Sequence, residues 1–442
     1  MKNKKIKAIV AGVALTVCVV LSSVFCGCIA GKGRDGINGK DLNIFDIYEA
    51  AKAQTGNPDL TFEEFLREYL SYNSSELEEA TSLRASVNKS LMSAVSIRAD
   101  FSYPDSMSIY SNTGSGVIVD IDVAKGDMTV VTNCHVVYNA HAVGDKYSDT
   151  IRLWLYGSES YYTKVNADNA IEAKIIGASK NYDLAVLQVK GNDLVKRSKA
   201  KSANWSKSEE NYLGETVYAI GNPTIGNGEF GMMSANVGYI SKDLESVSVD
   251  LGDPTFYTYN VLRTSTPINS GNSGGGLYNY AGELVGIVNA KGRDDAIGVG
   301  YALPASTVKR VVKRMISDSD GTEKHDVRLV KSGIEITVTD SYSTGLNDKG
   351  LAEIYEQVTV WGVDPGAALG VIKTGDIIKH VKIMREQGII EDLDIMREHN
   401  FTDVMLSVEA GDLILITVLR GGVELSSPLQ ITYSASDFEK LV

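Results

Sequence analysis

His135, Asp183 and Ser273 are residue types that together build a nucleophilic catalyst. Serine is a weak nucleophile at neutral pH, so it needs a base within hydrogen-bond reach, and that base needs a third group to orient it. His135 follows the apolar run 128–131 in TNCHVV, Asp183 opens DLAVLQV, and Ser273 lies in INSGNSGGGL, residues 268–277. The apolar residues behind Asp183 predict a buried strand and a partly desolvated carboxylate. If the three converge, Asp183 holds the imidazole tautomer, His135 takes the serine proton, and Ser273 attacks a carbonyl. Singly, each has an ordinary alternative: the chain has five histidines, an aspartate can cap a turn, and a serine among glycines can simply turn the chain. The glycine-rich stretch lacks the Gly-Lys-Ser/Thr ending of a phosphate loop and the strand-to-helix context of a dinucleotide fold.

The elements that must position these residues are short and β-rich. From about residue 90 the runs SGVIVDI, MTVVTN, DTIRLWLY, EAKIIGA, LAVLQV, TVYAIG, NVGYIS, NVLRTS, ELVGIVNA and GVGYALP are broken by polar turns. With no helices alternating between them, they predict a mainly β barrel or sandwich. The polar run 317–325 reads as a domain boundary. With 442 residues, 43% hydrophobic and 22% charged, the chain has material for two or three domains. Its net charge of −13 repels polyanions and argues against a nucleic-acid partner. The cluster Lys309, Arg310, Lys313 and Arg314 reads as the solvated face of an amphipathic helix, with Val308, Val311, Val312, Met315 and Ile316 on the other side.

The N-terminus speaks to location. MKNKKIK precedes an uncharged apolar stretch, residues 8–30, which is long enough as a helix to cross a core of ~30 Å. The lysines stay cytoplasmic and the rest of the chain lies outside. A retained anchor, a cleaved signal peptide and lipidation at Cys28 in FCGC are the alternatives. Cys18, Cys26 and Cys28 fall in that stretch, so Cys134 stands alone in the soluble part and is expected to be a small buried hydrophobe. GKGRDGINGKD reads as a flexible spacer. Thr61 with Glu64 forms a capping box, and Leu60 staples to Phe65, within a helical stalk over residues 41–72.

Taken in order, TGSGVIV, TNCHVV, DLAVLQV, AIGNP, TPINSGNSGGGL, GELVGIVNA and GVGYALPASTVKRVV resemble the successive landmarks of HtrA-type serine proteases, over roughly residues 95–316. The resemblance implies a trypsin-like pair of six-stranded β-barrels, a triad of His135, Asp183 and Ser273, and an oxyanion hole formed by the N–H groups of Gly271 and Ser273. Glycine reaches the tight dihedrals such a hole needs, and each fixed donor contributes about 3 kcal/mol. No metal or cofactor is expected. Two positions depart from the family: Gly276, where proline is common, and Cys134, where a small residue such as alanine is common.

Thr266, Pro267 and Ile268 would form the floor of the primary pocket, and Val288, Asn289 and Ala290 another wall. With no carboxylate there, lysine and arginine are disfavoured, and small or medium aliphatic side chains are implied. Further on, DPGAALGVIKTGDIIKHV resembles part of a PDZ domain, with a carboxylate-binding loop near Ser332, Gly333 and Ile334. The stretch MREQGIIEDLDIMREHNF departs from a minimal PDZ pattern.

The implied layout is a basic tip and anchor at 1–31, a spacer and stalk at 32–85, the protease at 86–317 and the PDZ-like domain at 326–434. The implied activity is that of a membrane-anchored extracytoplasmic endopeptidase acting on unfolded or damaged polypeptides, in a homotrimer. A catalytically latent, peptide-holding chaperone is the alternative.

Overall fold

The computed structural model describes residues 48–49, 52, 60–62, 64–65, 83–103, 109–148, 150–158, 169–206, 213–224, 232–251, 255–291, 298–318, 328–347, 350–386 and 388–440. The chain divides into two compact units, Met1–Leu77 and Glu78–Val442. In the first, the Glu64 N–H donates to Thr61 Oγ1 (3.2 Å) while the Thr61 N–H donates to the Glu64 carboxylate (2.9 Å), which is the expected reciprocal cap. Leu60 and Phe65 are both buried. The expected anchor, Cys28 and the glycine spacer lie outside the described residues. Among the described residues no helix is long and apolar enough to cross a membrane.

The first described element of the second unit is helix α1 (Leu83–Leu91). Strands β1 (Ala94–Ser102), β2 (Ile109–Asp122), β3 (Asp127–Thr132), β4 (Thr150–Leu155), β5 (Ile171–Ser179) and β6 (Leu184–Val189) then close a barrel in the order β1-β2-β3-β6-β5-β4. A helical turn α2 (Cys134–Val137) follows β3. Helix α3 (Asp193–Arg197) follows β6 and is capped by the Asn192 side chain, which accepts from the Leu194 and Val195 N–H groups.

Seven strands come next: β7 (Asn204–Trp205), β8 (Thr216–Gly221), β9 (Ser234–Asp250), β10 (Phe256–Thr264), β11 (Gly276–Asn279), β12 (Glu283–Lys291) and β13 (Gly300–Pro304). They run β11-β8-β9-β10-β13-β12-β7. Because β11 also pairs with β12, six of them form a second ring, with β7 as a parallel edge on β12. Period-two burial drives this arrangement: in β10, Tyr257, Tyr259 and Val261 are buried while Phe256, Thr258 and Asn260 face out. Ile97, Ile118, Val130, Leu153 and Leu187 fill the first barrel. Val217, Leu262, Leu277, Val285 and Val288 fill the second. Val131, Leu184, Tyr218, Tyr278 and Ile287 belong to a third cluster shared by both barrels. Helix α1 joins this packing, with Ser86 Oγ donating to Tyr280 O at 2.8 Å. The expected boundary at 85/86 therefore falls inside an element that packs on the second ring.

Helix α4 (Ala305–Asp318) closes this part of the unit. Val308, Val311, Val312 and Met315 are buried and Lys309 and Lys313 are exposed, as the amphipathic pattern predicts. Ile316 is exposed, contrary to the pattern. Arg310 and Arg314 also correct the expectation of a solvated face, since their side chains are only 10% and 12% exposed. Partners from beyond the helix compensate that burial: Arg310 pairs with Glu391 (3.1 Å) and Asp403 (3.7 Å), and Arg314 lies over the Phe438 ring.

The C-terminal part is again mainly β: β14 (Arg328–Val330), β15 (Ile334–Leu346), β16 (Ala352–Val363), β17 (Ile377–Arg385), β18 (Gly388–Asp394), helix α5 (Glu398–Met405), β19 (Leu413–Arg420), β20 (Val423–Glu424), β21 (Leu429–Thr432) and β22 (Phe438–Lys440). The main sheet runs β15-β16-β17-β19-β20, with β18 on β17 and β21 on β19, while β14 pairs with β22. Its core, built on Val358, Val360, Ile378, Val381, Phe401, Ile414 and Ile416, is a separate cluster. MREQGIIEDLDIMREHNF supplies the end of β17, then β18 and the start of α5.

Candidate active site

Strand β3 ends at Thr132, and Asn133 in an extended conformation (φ −78°, ψ 151°) turns the chain into α2, which carries His135. Asp183 sits where the loop after β5 meets β6; it is fully buried and adopts a left-handed φ of 46°. A non-glycine residue there is strained, and surrounding bonds hold it. Its N–H donates to Lys180 O (3.2 Å), and its carbonyl accepts from Asn133 Nδ2 (2.9 Å). The carboxylate accepts from the His135 N–H through Oδ1 (2.9 Å) and faces His135 Nδ1 through Oδ2 (2.7 Å). One carboxylate thus fixes both backbone and ring of His135. With Nδ1 committed as the donor, the neutral imidazole keeps its lone pair on Nε2. Burial opposes charging of the ring, yet the Asp183 carboxylate outweighs it by charge and hydrogen bond, so the His135 pKa is raised.

The turn bearing Ser273 is tied to the first barrel by Ser115 of β2, which is wholly buried. The Ser115 N–H donates to Ser273 O (2.8 Å), and its hydroxyl donates to Gly271 O (2.7 Å). Gly271 has φ +93°, and a Cβ there would strike Asn222 O, so both conformation and space require glycine. Among the described residues neither Gly271 N nor Ser273 N finds an acceptor. Ser270 O is engaged by Thr224 N (2.8 Å), not by Ser273 N. Two backbone donors beside the serine are therefore available to an incoming oxygen.

The serine hydroxyl itself donates to Asn289 O at 3.2 Å, and among the described residues no hydrogen bond joins it to His135. Asn289 lies where the β12–β13 register slips between Val288 and Ala290. Such a bulge frees a carbonyl and re-aims a side chain. Sequence reasoning set Asn289 on a pocket wall; instead its side chain turns inward and donates to Asp183 Oδ2 (2.6 Å). Val288, also expected on that wall, is fully buried in the second barrel core with Ile268. Thr266 is buried and Pro267 exposed, while the Ala290 side chain lies outside the described residues. Ser115 is the site residue missed, and Asn289 is a residue expected at the site but in another role. GIVNA and TGSGVIV contain them, but their roles depend on approaches between distant strands that no local pattern encodes.

Gly276 has a steric reason in this chain: a Cβ there would meet the ring of Tyr278. That ring stacks on Tyr218 and bonds Ser93 through its hydroxyl (3.0 Å). Cys134 is buried, with its thiol 4.0 Å from the Tyr147 hydroxyl. In the C-terminal part, Gly333 adopts φ +66° just before β15, and its carbonyl accepts from Asp364 N (2.8 Å). The Ile334 N–H is taken by Ser332 Oγ (3.1 Å), so one donor of the expected carboxylate loop is occupied.

The sequence is similar to known proteins. Residues 114–287 match the family described as Trypsin-like peptidase domain. The chain is 25% identical over 388 residues to Serine protease Do-like HtrA of Lactococcus lactis subsp. cremoris, covering 82% of this chain and 84% of that protein. It is 28% identical over 359 residues to Serine protease Do-like HtrA of Bacillus subtilis, covering 79% and 69%. Serine endoprotease DegS of Haemophilus influenzae is 26% identical over 333 residues, covering 73% and 77%. Among solved structures, the serine endoprotease from Yersinia pestis aligns with TM-score 0.43 and 24% identity, over 80% of this chain and 98% of that one. Residues 114–287 are a trypsin-like peptidase domain, in a chain whose relatives are HtrA-type serine proteases.

Proposed function

We propose that the chain is an extracytoplasmic serine endopeptidase that cleaves unfolded or damaged polypeptides through an acyl-enzyme. The observation that carries this reading is the His135–Asp183 pair at 2.7 Å in the same site as Ser273 and two unengaged backbone N–H groups. Ser273 Oγ attacks the scissile carbonyl carbon and passes its proton to His135 Nε2. The oxyanion rests on the N–H groups of Gly271 and Ser273. Collapse expels the amine, which takes the proton back from His135, and water then hydrolyses the ester by the same route. Thr266, Pro267 and Ile268 bring no carboxylate to the primary pocket, which favours small or medium aliphatic side chains.

Residues 326–434 would take an extended peptide in the manner of a PDZ domain, with Ser332, Gly333 and Ile334 near its carboxylate. Supporting features are the left-handed Gly333 and the position of β15 at a sheet edge. Anchoring through residues 8–30 and assembly as a homotrimer belong to the same reading. A second reading, a latent protease that holds peptides, is favoured by one observation: the Ser273 hydroxyl rests on Asn289 O instead of His135.

A fluorophosphonate probe decides between them. Labelling of the wild type that disappears in both Ser273→Ala and His135→Ala is the expected result. Unchanged labelling in Ser273→Ala would sink the nucleophile assignment, and a folded, peptide-binding but unlabelled wild type would favour latency.

A further inference from the structure

Lys180 performs none of the chemistry of the site, yet it touches the supports of both members of the imidazole–carboxylate pair. Its carbonyl accepts the Asp183 N–H (3.2 Å) and the Tyr259 hydroxyl (2.8 Å). Its ammonium lies over the rings of Tyr138 (5.3 Å) and Tyr257 (5.6 Å). Tyr138 is the residue that ends α2, the turn carrying His135. Tyr257 and Tyr259 come from β10 in the second barrel and are almost fully buried. A cation held between two aromatic faces is a directional clamp, because each ring attracts it along its own normal. The clamp spans both barrels. It grips the one turn in the site where a non-glycine residue, Asp183, is forced to a left-handed φ.

We infer that Lys180, clasped by Tyr138, Tyr257 and Tyr259, is a positioning residue that locks the Asp183 turn and the His135 turn into mutual register. The inference rests on the proteolytic reading of the site for its consequence, but its geometry stands without it. Other ionisable groups on these turns are Tyr182, beside Asp183 and acted on from a distance by Asp403 of α5, and Cys134 and Tyr147 at α2, with Tyr147 packed edge-on to the Tyr138 ring.

The test uses the full chain with Tyr259→Phe, Lys180→Met and Lys180→Arg. Two readouts are followed: the titration of the His135 imidazole by NMR, and the pH dependence of fluorophosphonate labelling. Loosening the turn weakens the hold of Asp183 on the imidazolium, so Tyr259→Phe and Lys180→Met should lower the His135 midpoint by about half a pH unit, roughly threefold in proton affinity. Lys180→Arg keeps a cation between the rings and should restore the wild-type midpoint. The sign is decisive, because an ammonium acting only as a nearby positive charge would depress the imidazole midpoint, and its removal would raise it. An upward shift in Lys180→Met, or an unchanged midpoint in both Lys180→Met and Tyr259→Phe in folded protein, overturns the inference. Should the wild type fail to label, the proteolytic reading falls while the NMR midpoint still decides the role of Lys180.

Discussion

At the scale of single residues, Asp183 is the centre of the site. It accepts from the His135 ring, the His135 backbone and the Asn289 amide, and it is shielded from water throughout. These donors compensate the buried carboxylate, which in turn stabilises the imidazolium opposite it. The His135 pKa is raised in consequence, although burial alone would lower it. Catalysis needs the neutral ring, so labelling of Ser273 should rise with pH through a midpoint above about 6.5, the ordinary histidine value. A midpoint at or below that value would mean that burial outweighs the carboxylate. The linked stability has the opposite sense. A group with a raised folded pKa stabilises fully below the unfolded pKa, and that contribution is lost as pH rises through the folded pKa. Activity and this part of the stability therefore run in opposite directions with pH. The pH dependence of urea unfolding, compared between wild type and His135→Gln, isolates the second effect.

At the scale of elements, the turn 269–275 is held open by Ser115 on one side and by β12 on the other, with Gly274 N donating to Val288 O (2.8 Å). Gly271→Ala should abolish this arrangement. The new Cβ strikes Asn222 O, and the left-handed φ costs an L-residue about 1–2 kcal/mol. Displacing even one oxyanion donor lowers the rate by about 100-fold or more, so labelling of the folded variant should fall by at least that factor. Labelling at the wild-type rate would exclude Gly271 N from the oxyanion site. The triad types, the glycines of this turn and most strands were legible in the sequence, because each is written in a run of neighbouring residues. Strand β1, AVSIRADFS, was not, since it buries Ser96 among apolar residues and so hides its alternation. The lengths of β9 and β10 were also missed, although their outer halves alternate, with Tyr257 and Tyr259 buried and Thr258 and Asn260 exposed. Asn289, Ser115 and Lys180 were illegible for a related reason: each depends on partners far away in sequence.

At the scale of the whole second unit, the barrels and the C-terminal sheet meet through a junction in which polar groups surround the buried Leu406. Asp403 of α5 is 7% exposed and accepts from Ser306 Oγ (2.9 Å) and Thr307 Oγ1 (2.8 Å) at the start of α4. Arg310, one turn on, shares its guanidinium between Asp403 and Glu391. Arg397 reaches back to Asp243 on β9 at 2.6 Å. Nearby, His399 is kept neutral, its pKa lowered to about 3 chiefly by burial and then by Arg397 and Arg310. Positive charge is thus dense in this junction, and carboxylates compensate it. Removing one partner of a buried pair costs about 3 kcal/mol or more, because the remaining charge stays desolvated. Asp403→Ala leaves Arg310 with Glu391 and takes the acceptor from two hydroxyls. The penalty falls on the junction, since Asp403 of α5 binds Ser306, Thr307 and Arg310 of α4 across it. Calorimetry should accordingly show a C-terminal transition lowered by roughly 12 °C or more for a part of this size. It should separate from a barrel transition that keeps its midpoint, with Ser273 labelling intact below it. A single transition at the wild-type temperature would show that apolar contacts, and not this carboxylate, hold the two parts together.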